Sequence, residues 1–474
     1  MSKIVTPSLN LSNQTRLSVW GLLRGYGVFL GVLLLWLGTL WGALWSNTVL
    51  AWSCGLLYIA YDTWLIGYVT LKNRHLAAPT PLLMTVKPST LTMGIIISAR
   101  NEEKVLEATL NTILLQAGQA DYILIVNDGS TDKTATLLLD KFGLPIQDGW
   151  HMSSHYPHLS VLHKKNSGKA DSMNQACRLL DVDVVITIDA DTHLLPNALI
   201  AIRQAFASEP QLVAACGVLT PRCEGGWLAR LFGCFQYFEY LRAFLSRAAW
   251  MQSNALLLVS GALAAYRREM LITIGGYDSH SLVEDYELIH RLHRYAYDSG
   301  LDWRVKVLPQ ARAETDAPAS FRAFLHQRRR WFAGFLSTQF QYRAMHGQAR
   351  YGSVGQFLLP IKAVDTLQPL YGMTAFILLC IFIASGAEFS PLIVLVIAIK
   401  LLIDFSYQMW AIRLYHRWLQ QSIAPTTWLY AVFSTLAEPF SFQLLRHCGA
   451  LWGWLILLTG HQDWVPQRTM SNTK

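Results

Sequence analysis

No charged residue stands between Gly25 and Tyr61, and Asp62 is the only charge before Lys72. Such a run exceeds the short apolar core of a secretory signal, and it lacks the small-residue cleavage site that a signal needs. The segment is therefore expected to remain as a membrane anchor. Charge is scarce throughout, at 15% of 474 residues against 52% hydrophobic, which excludes an ordinary soluble composition. Paired cysteines are missing too. The seven that exist are scattered and odd in number, so they read as reduced core residues and not as a disulfide framework or a zinc site. Nucleic-acid motifs are absent: there is no zinc-finger spacing, no helix-turn-helix cue and no aromatic RNA-binding signature. The net charge of +8 then points to anionic headgroups or phosphorylated substrates. No internal repeat or low-complexity segment breaks the chain.

What is present begins with a hairpin. Two helices of about 20 residues each would cross a hydrocarbon core of about 30 Å, turning at the polar Ser46-Asn47-Thr48. Lys3, Arg16 and Arg24 precede this hairpin while Lys72, Arg74 and Lys87 follow it, which places both ends in the cytoplasm. The expected divisions are a cytoplasmic tail over 1–24 and a transmembrane hairpin over 25–71. Asp62 is costly in lipid, so it is expected either to face another helix or a polar path, or to snorkel from a helix end. Thr366–Ala387 and Pro391–Ile412 read as two further spans, with Lys400 and Asp404 paired at i and i+4. Beyond Ala424, Glu438-Pro439 and Arg446-His447 leave one span, a re-entrant pair or two short helices open. A C-terminal membrane region over 366–460 and a tail over 461–474 complete the division.

Between these membrane segments the periodicity changes. Met93–Ile97, Tyr122–Val126 and Val184–Ile188 are short, apolar and β-branched, and each is followed by a polar turn and a helical pattern. Such alternation over 90–318 predicts a parallel sheet covered on both faces by helices. Ligands of open α/β sheets bind beyond the carboxyl ends of the strands. Arg100-Asn101-Glu102, Asp128 and Asp189-Ala190-Asp191 all fall there. Desolvating a carboxylate costs several kcal/mol unless a partner or metal compensates it, so the set predicts a ligand that is cationic and phosphorylated.

Each motif also has a plainer reading. Asp189-Ala190-Asp191 holds two carboxylates where a hard divalent cation could meet a diphosphate, yet an Asp-X-Asp alone equally marks a solvated turn. Asp128 suits contact with a nucleotide base, while Thr131 and Asp132 suit capping of the next helix. Lys169 in Asn166-Ser167-Gly168-Lys169 lacks the full phosphate-loop spacing and is either a diphosphate contact or a surface lysine. Glu284-Asp285 gains from the dipole at a helix N-terminus whether or not it acts as a general base. Gln327, Arg330 and Trp331 share one helical face, where Arg suits a diphosphate and Trp a sugar ring. From Ser320 to about Arg350, Arg and His interleave with aromatics, as in an amphipathic helix at a membrane interface; 319–365 is assigned to such helices.

Taken together, Asn127-Asp128-Gly129-Ser130, Asp189-Ala190-Asp191, Glu284-Asp285 and Gln327-Arg328-Arg329-Arg330-Trp331 resemble the processive, membrane-embedded glycosyltransferases of family 2. Cellulose, chitin, hyaluronan and poly-N-acetylglucosamine synthases share that pattern, and the likeness spans roughly Thr92 to Arg343. The resemblance implies an α/β nucleotide-diphospho-sugar transferase fold of GT-A type in the cytoplasm, joined to an α-helical transmembrane domain of the plasma (inner) membrane. It implies Mg2+ or Mn2+ as cofactor and inverting transfer from a UDP-sugar, UDP-N-acetylglucosamine above others, into a β-linked polysaccharide extruded across the membrane. Carried over by residue, Asp128 contacts uracil, Glu102, Lys169 and Asp189 belong to the donor site, and Asp189 and Asp191 hold the metal. Asp285, beside Glu284, is the general base; Gln327, Arg330 and Trp331 line the acceptor and diphosphate end. The implied partners are the UDP-sugar donor, a growing polysaccharide or lipid acceptor, and membrane lipids; an accessory subunit is left open and no nucleic acid is expected. Ser260-Gly261-Ala262, Gly275-Gly276-Tyr277-Asp278 and Arg291 look closest to bacterial poly-N-acetylglucosamine synthases. Val283 departs from the pattern, since many relatives carry Thr or Gly there. Two alternatives stand beside this reading: single transfer to a lipid acceptor, and a non-catalytic sugar-nucleotide-binding component of an export complex.

Overall fold

The computed structural model of the chain describes residues 19–45, 52–79, 91–116, 120–386 and 391–459. The expected turn at Ser46-Asn47-Thr48, the flanking Lys3, Arg16 and Lys87, and the tail over 461–474 lie outside those residues. The described residues open with α1 (Val19–Trp45) and α2 (Ser53–Asn73), both long and apolar enough to cross a membrane. Helix α2 continues beyond the uncharged run, so Asp62 lies mid-helix and cannot snorkel from an end.

Strands and helices then alternate. The first half comprises β1 (Met93–Ala99), α3 (Leu106–Leu114), β2 (Tyr122–Asp128), α4 (Thr134–Phe142), β3 (Gly149–Met152), β4 (Leu159–Lys164), α5 (Lys169–Leu179) and β5 (Val184–Asp189). The second comprises β6 (Thr192–Leu194), α6 (Ala198–Ser208), β7 (Leu212–Arg222), α7 (Trp227–Met251), β8 (Leu263–Arg267), α8 (Arg268–Thr273), α9 (Glu284–Asp298) and β9 (Arg304–Asp316). They form one nine-stranded sheet in the order β3-β4-β2-β1-β5-β8-β7-β9-β6. Ile95, Ile96 and Ile97 are all buried because helices cover both faces of the sheet, so β1 shows no alternation.

The sheet is mixed, not uniformly parallel as the alternation predicted. β4, β2, β1 and β5 run parallel, but β8 is antiparallel to both of its neighbours, β5 and β7. Helix α7 carries the chain from the end of β7 to the start of β9, where Asn254 donates to the Trp303 carbonyl, and the segment 252–262 brings it back to the carboxyl edge of β5, so β8 runs back through the sheet. That reversal leaves Ser260-Gly261 at the carboxyl edge of β5, where the acids are.

The remaining helices are α10 (Phe321–Gln341), α11 (Leu359–Ala384), α12 (Pro391–Trp418), α13 (Pro425–Ala437) and α14 (Phe442–Thr459). With α1 and α2, the helix over Val354–Ala384 and α12 make four candidate membrane spans. After α12 the chain makes two short helices, α13 and α14, broken at Glu438-Pro439-Phe440. Helix α14 lies against α10 through glycines: a Cβ at Gly449 would stand 2.6 Å from Arg328 Cβ, and one at Gly453 2.4 Å from the Arg329 carbonyl oxygen. Helix α10 therefore buries Phe324, Gln327 and Arg328 beneath the α/β domain. Between spans, Lys400 of α12 meets Asp62 of α2 at 2.7 Å and also pairs with Asp404.

Candidate active site

Strand β5 ends at Asp189, and α5 begins at Lys169. The Lys169 ammonium lies 2.6 Å from Asp189 Oδ1 and 3.4 Å from Glu284 Oε1. Glu284 and Asp285 open α9, and the Gly261 N–H donates to Asp285 Oδ2 at 2.9 Å. A Cβ on Gly261 would stand 3.5 Å from both Asp285 Oδ2 and Lys169 Nζ, so this glycine marks where carboxylate and ammonium converge. Asp191 sits in the turn after β5, and its Oδ1 accepts from the Thr315 hydroxyl of β9 at 3.3 Å. Four elements distant in sequence thus bring Lys169, Asp189, Asp191, Glu284 and Asp285 to one edge.

The electrostatics follow from this crowding. Burial raises the pKa of Asp285, and the neighbouring Glu284 raises it further; the Gly261 N–H, Lys169 and Arg330 oppose that rise. Burial alone would lower the pKa of Lys169, but Asp189, Glu284 and Asp285 together outweigh it and hold the ammonium charged. The cluster is anionic with a cation at its centre.

Asp128 is built into the loop before α5. Its buried carboxylate accepts from Lys164 Nζ at 2.5 Å and from the Ser167 and Gly168 N–H groups at 2.9 Å each. Gly129 is required beside it, because its φ is +65° and a Cβ would lie 2.7 Å from the Asn166 nitrogen. Asp128 therefore fixes the loop that delivers Lys169. Asp132 accepts from the Thr134 N–H at 3.0 Å, in keeping with the capping reading. Glu102 lies in the turn after β1, where its N–H donates to the Thr134 hydroxyl at 2.9 Å.

The Gln-Arg-Arg-Arg-Trp segment lies on α10. Arg330 donates to the Leu282 carbonyl at 3.2 Å, two residues before the acid pair, and its charge reaches Asp285. Trp331 packs beside Val283 and Tyr286 in one apolar cluster, with the Arg328 guanidinium 4.4 Å from its ring. Gln327 is buried deeper, and its Oε1 accepts no hydrogen bond. Two residues escaped sequence reasoning. Arg328 forms a buried ion pair with Glu239 of α7 at 2.6 Å, and Gly334 receives Val283, whose Cγ2 would stand 2.6 Å from a Cβ there. The departure at Val283 was the only available signal for the second.

Residues 94–275 match the family model described as Glycosyl transferase family 2. This chain carries a family 2 glycosyltransferase domain. Over 277 residues it is 25% identical to the poly-beta-1,6-N-acetyl-D-glucosamine synthase of Staphylococcus aureus (strain COL), covering 57% of this chain and 61% of that protein. Over 262 residues it is 32% identical to the hyaluronan synthase of Streptococcus pyogenes, covering 53% and 58% respectively. The chain thus spans less than two thirds of the length of these curated relatives. Its fold is similar to that of a mannosyltransferase from Pyrobaculum calidifontis in complex with GDP-Man and Mn2+, with a TM-score of 0.51 and 17% identity over 82% of this chain and 99% of that one. The family 2 domain has the GT-A architecture, and apolar helices flank it. The match ends before Glu284, so the acid pair and the α10 segment lie beyond it.

The acids also suit a metal that comes with its ligand. Among the described residues no three His, Cys, Asp or Glu converge as a self-contained metal site. Mg2+ is commonly held by one or two carboxylates completed by substrate phosphates, and Asp189 and Asp191 at a strand end supply that number.

Proposed function

We propose that this protein is an inverting, processive glycosyltransferase that draws on a UDP-sugar, with UDP-N-acetylglucosamine the favoured donor, and passes a β-linked polymer through its own helices. One observation carries the reading: Asp285, gripped by the Gly261 N–H, faces the Lys169–Asp189 pair and is followed at once by Tyr286, which lines a cavity of about 620 Å³. That cavity extends past Trp250 and Phe332 to Asp62 of α2 and Lys400 of α12. A site for transfer and a passage between spans share a wall.

In this mechanism the Asp285 carboxylate takes the proton of the acceptor hydroxyl as its oxygen attacks the anomeric carbon. The bond from that carbon to the diphosphate breaks, its electron pair leaves with UDP, and the configuration inverts. Lys169 and Arg330 stabilise the charge that develops on the leaving diphosphate. A divalent ion held by Asp189 and Asp191 would supply further neutralisation of that charge. Asp128 keeps the Lys169 loop in place, and Trp331 offers a flat apolar face for the acceptor sugar. The positive flanks of the hairpin support a cytoplasmic position for the catalytic domain.

The test incubates membranes containing the protein with each radiolabelled UDP-sugar and Mg2+ or Mn2+, then sizes the product. Long polymer from UDP-N-acetylglucosamine is expected. A product one sugar longer than a lipid would replace processivity with single transfer, and no transfer from any common donor would defeat the enzyme reading.

A further inference from the structure

Of the described carboxylates, Glu287 of α9 is the most deeply buried, at 1% exposure, and it stands two residues after Asp285. Arg291 donates to it from Nε at 3.0 Å and from Nη2 at 2.7 Å, and the Tyr342 hydroxyl, just past the end of α10, donates at 2.5 Å. The remaining guanidinium nitrogen of Arg291 donates to the Ile274 carbonyl at 2.8 Å, so the segment leading to the acid pair joins the same network. Helix α10 runs alongside in register. Its Arg330 reaches the Leu282 carbonyl, Gly334 receives Val283, Gln339 Nε2 donates to the Tyr286 hydroxyl at 2.8 Å, and Tyr342 reaches Glu287. These contacts rise in order along both segments and bracket Glu284 and Asp285.

We propose that Glu287 is a positioning residue: held by Arg291 and Tyr342, it fixes the register of α9 against α10 and so the place of Asp285 relative to the acceptor hydroxyl. The inference rests on the general-base reading of Asp285 and adds what holds that base. Buried as it is, Glu287 cannot meet the substrate itself. A buried ion pair contributes little to stability that apolar side chains of the same volume would not, but its hydrogen bonds fix a length and a direction. Apolar contact alone would let the two helices slide. A slip of one residue along α9 is a rise of about 1.5 Å, and a misplacement of about 1 Å at a reacting group can cost about 10²-fold in rate. Glu287 and Asp285 lie in one helical turn, so a slip of the first displaces the second.

The experiment uses the full chain in proteoliposomes with UDP-N-acetylglucosamine and Mn2+, and it follows sugar entering polymer, free sugar released by hydrolysis, the donor KM and UDP affinity. Tyr342→Phe deletes one hydroxyl and keeps both the ring and the Glu287–Arg291 pair; Glu287→Gln removes the charge. Each should lower kcat for transfer about tenfold while donor KM and UDP affinity change little. The share of donor lost to hydrolysis should rise several-fold. Water is small and unanchored, so it can still reach a displaced Asp285 and attack the anomeric carbon as UDP leaves. Should Glu287→Gln fail to assemble, Tyr342→Phe decides alone. Wild-type transfer in the variants overturns the proposal and leaves the synthase reading intact. Transfer and UDP affinity falling together, with the hydrolysed share unchanged, also overturns it, since the defect would then be general. Turnover that survives in Asp285→Asn removes the base reading, and this proposal with it.

Discussion

Asp285 has the surroundings of a base tuned upward. Burial and the adjacent Glu284 raise its pKa, and a base works only when ionised, so activity should fall with decreasing pH above the usual carboxylate range of about 3.9 to 4.3. Replacing Glu284 by Gln removes the charge that raises it, and the acid limb of the kcat/KM profile should move to lower pH. An unmoved limb would assign the titration to another group. Asp285→Asn should lower kcat by about 10²–10⁴ while donor affinity, read by UDP titration, changes little. Equal loss of binding and turnover would make the residue a donor contact instead. These acids were legible in the sequence because they sit at strand ends and a helix start, where polarity interrupts apolar runs. The clamp on Asp128 was not, since Lys164 and the Ser167-Gly168 backbone meet it only after β2 and β4 pair.

The helices under the site act through close packing. Gly334 of α10 accepts Val283, the residue immediately before the acid pair. Gly334→Ala would place a Cβ 2.6 Å from a Val283 methyl, and overpacking of this kind costs about 1–3 kcal/mol. The expected outcome is a several-fold fall in kcat with KM for the donor nearly unchanged. Adding Val283→Ala should restore much of the loss, and a double variant no better than the single would deny the contact its positioning role. The strands were readable from β-branched runs. The antiparallel course of β8 was not, because it depends on the segment 252–262 bringing the chain back from the end of the 25-residue α7 to the carboxyl edge of β5, a path that no local pattern encodes. The break between α13 and α14, by contrast, coincides with Glu438-Pro439, where proline removes a helical donor.

Across the whole chain, an α/β domain rests on apolar helices that enclose a charged cavity. Asp62 was expected to face a helix or a polar path, or to snorkel; it lies mid-helix, lines the cavity and pairs with Lys400. Lys400→Met would leave two half-buried carboxylates without their ammonium. A clear drop in the midpoint of thermal unfolding in detergent is expected. An unchanged midpoint would show that water, not Lys400, solvates those acids. Which helices pack together could not be read from hydropathy alone, because an apolar face has no preferred partner until small residues such as Gly449 and Gly453 let backbones approach.

The most direct test is a structure of the protein with UDP and Mn2+ bound. The account predicts a cation between the diphosphate and Asp189 and Asp191, with Lys169 and Arg330 turned to the phosphates and Asp285 facing the open side. A diphosphate bound without contact to Asp189, Asp191 or Lys169 would contradict it.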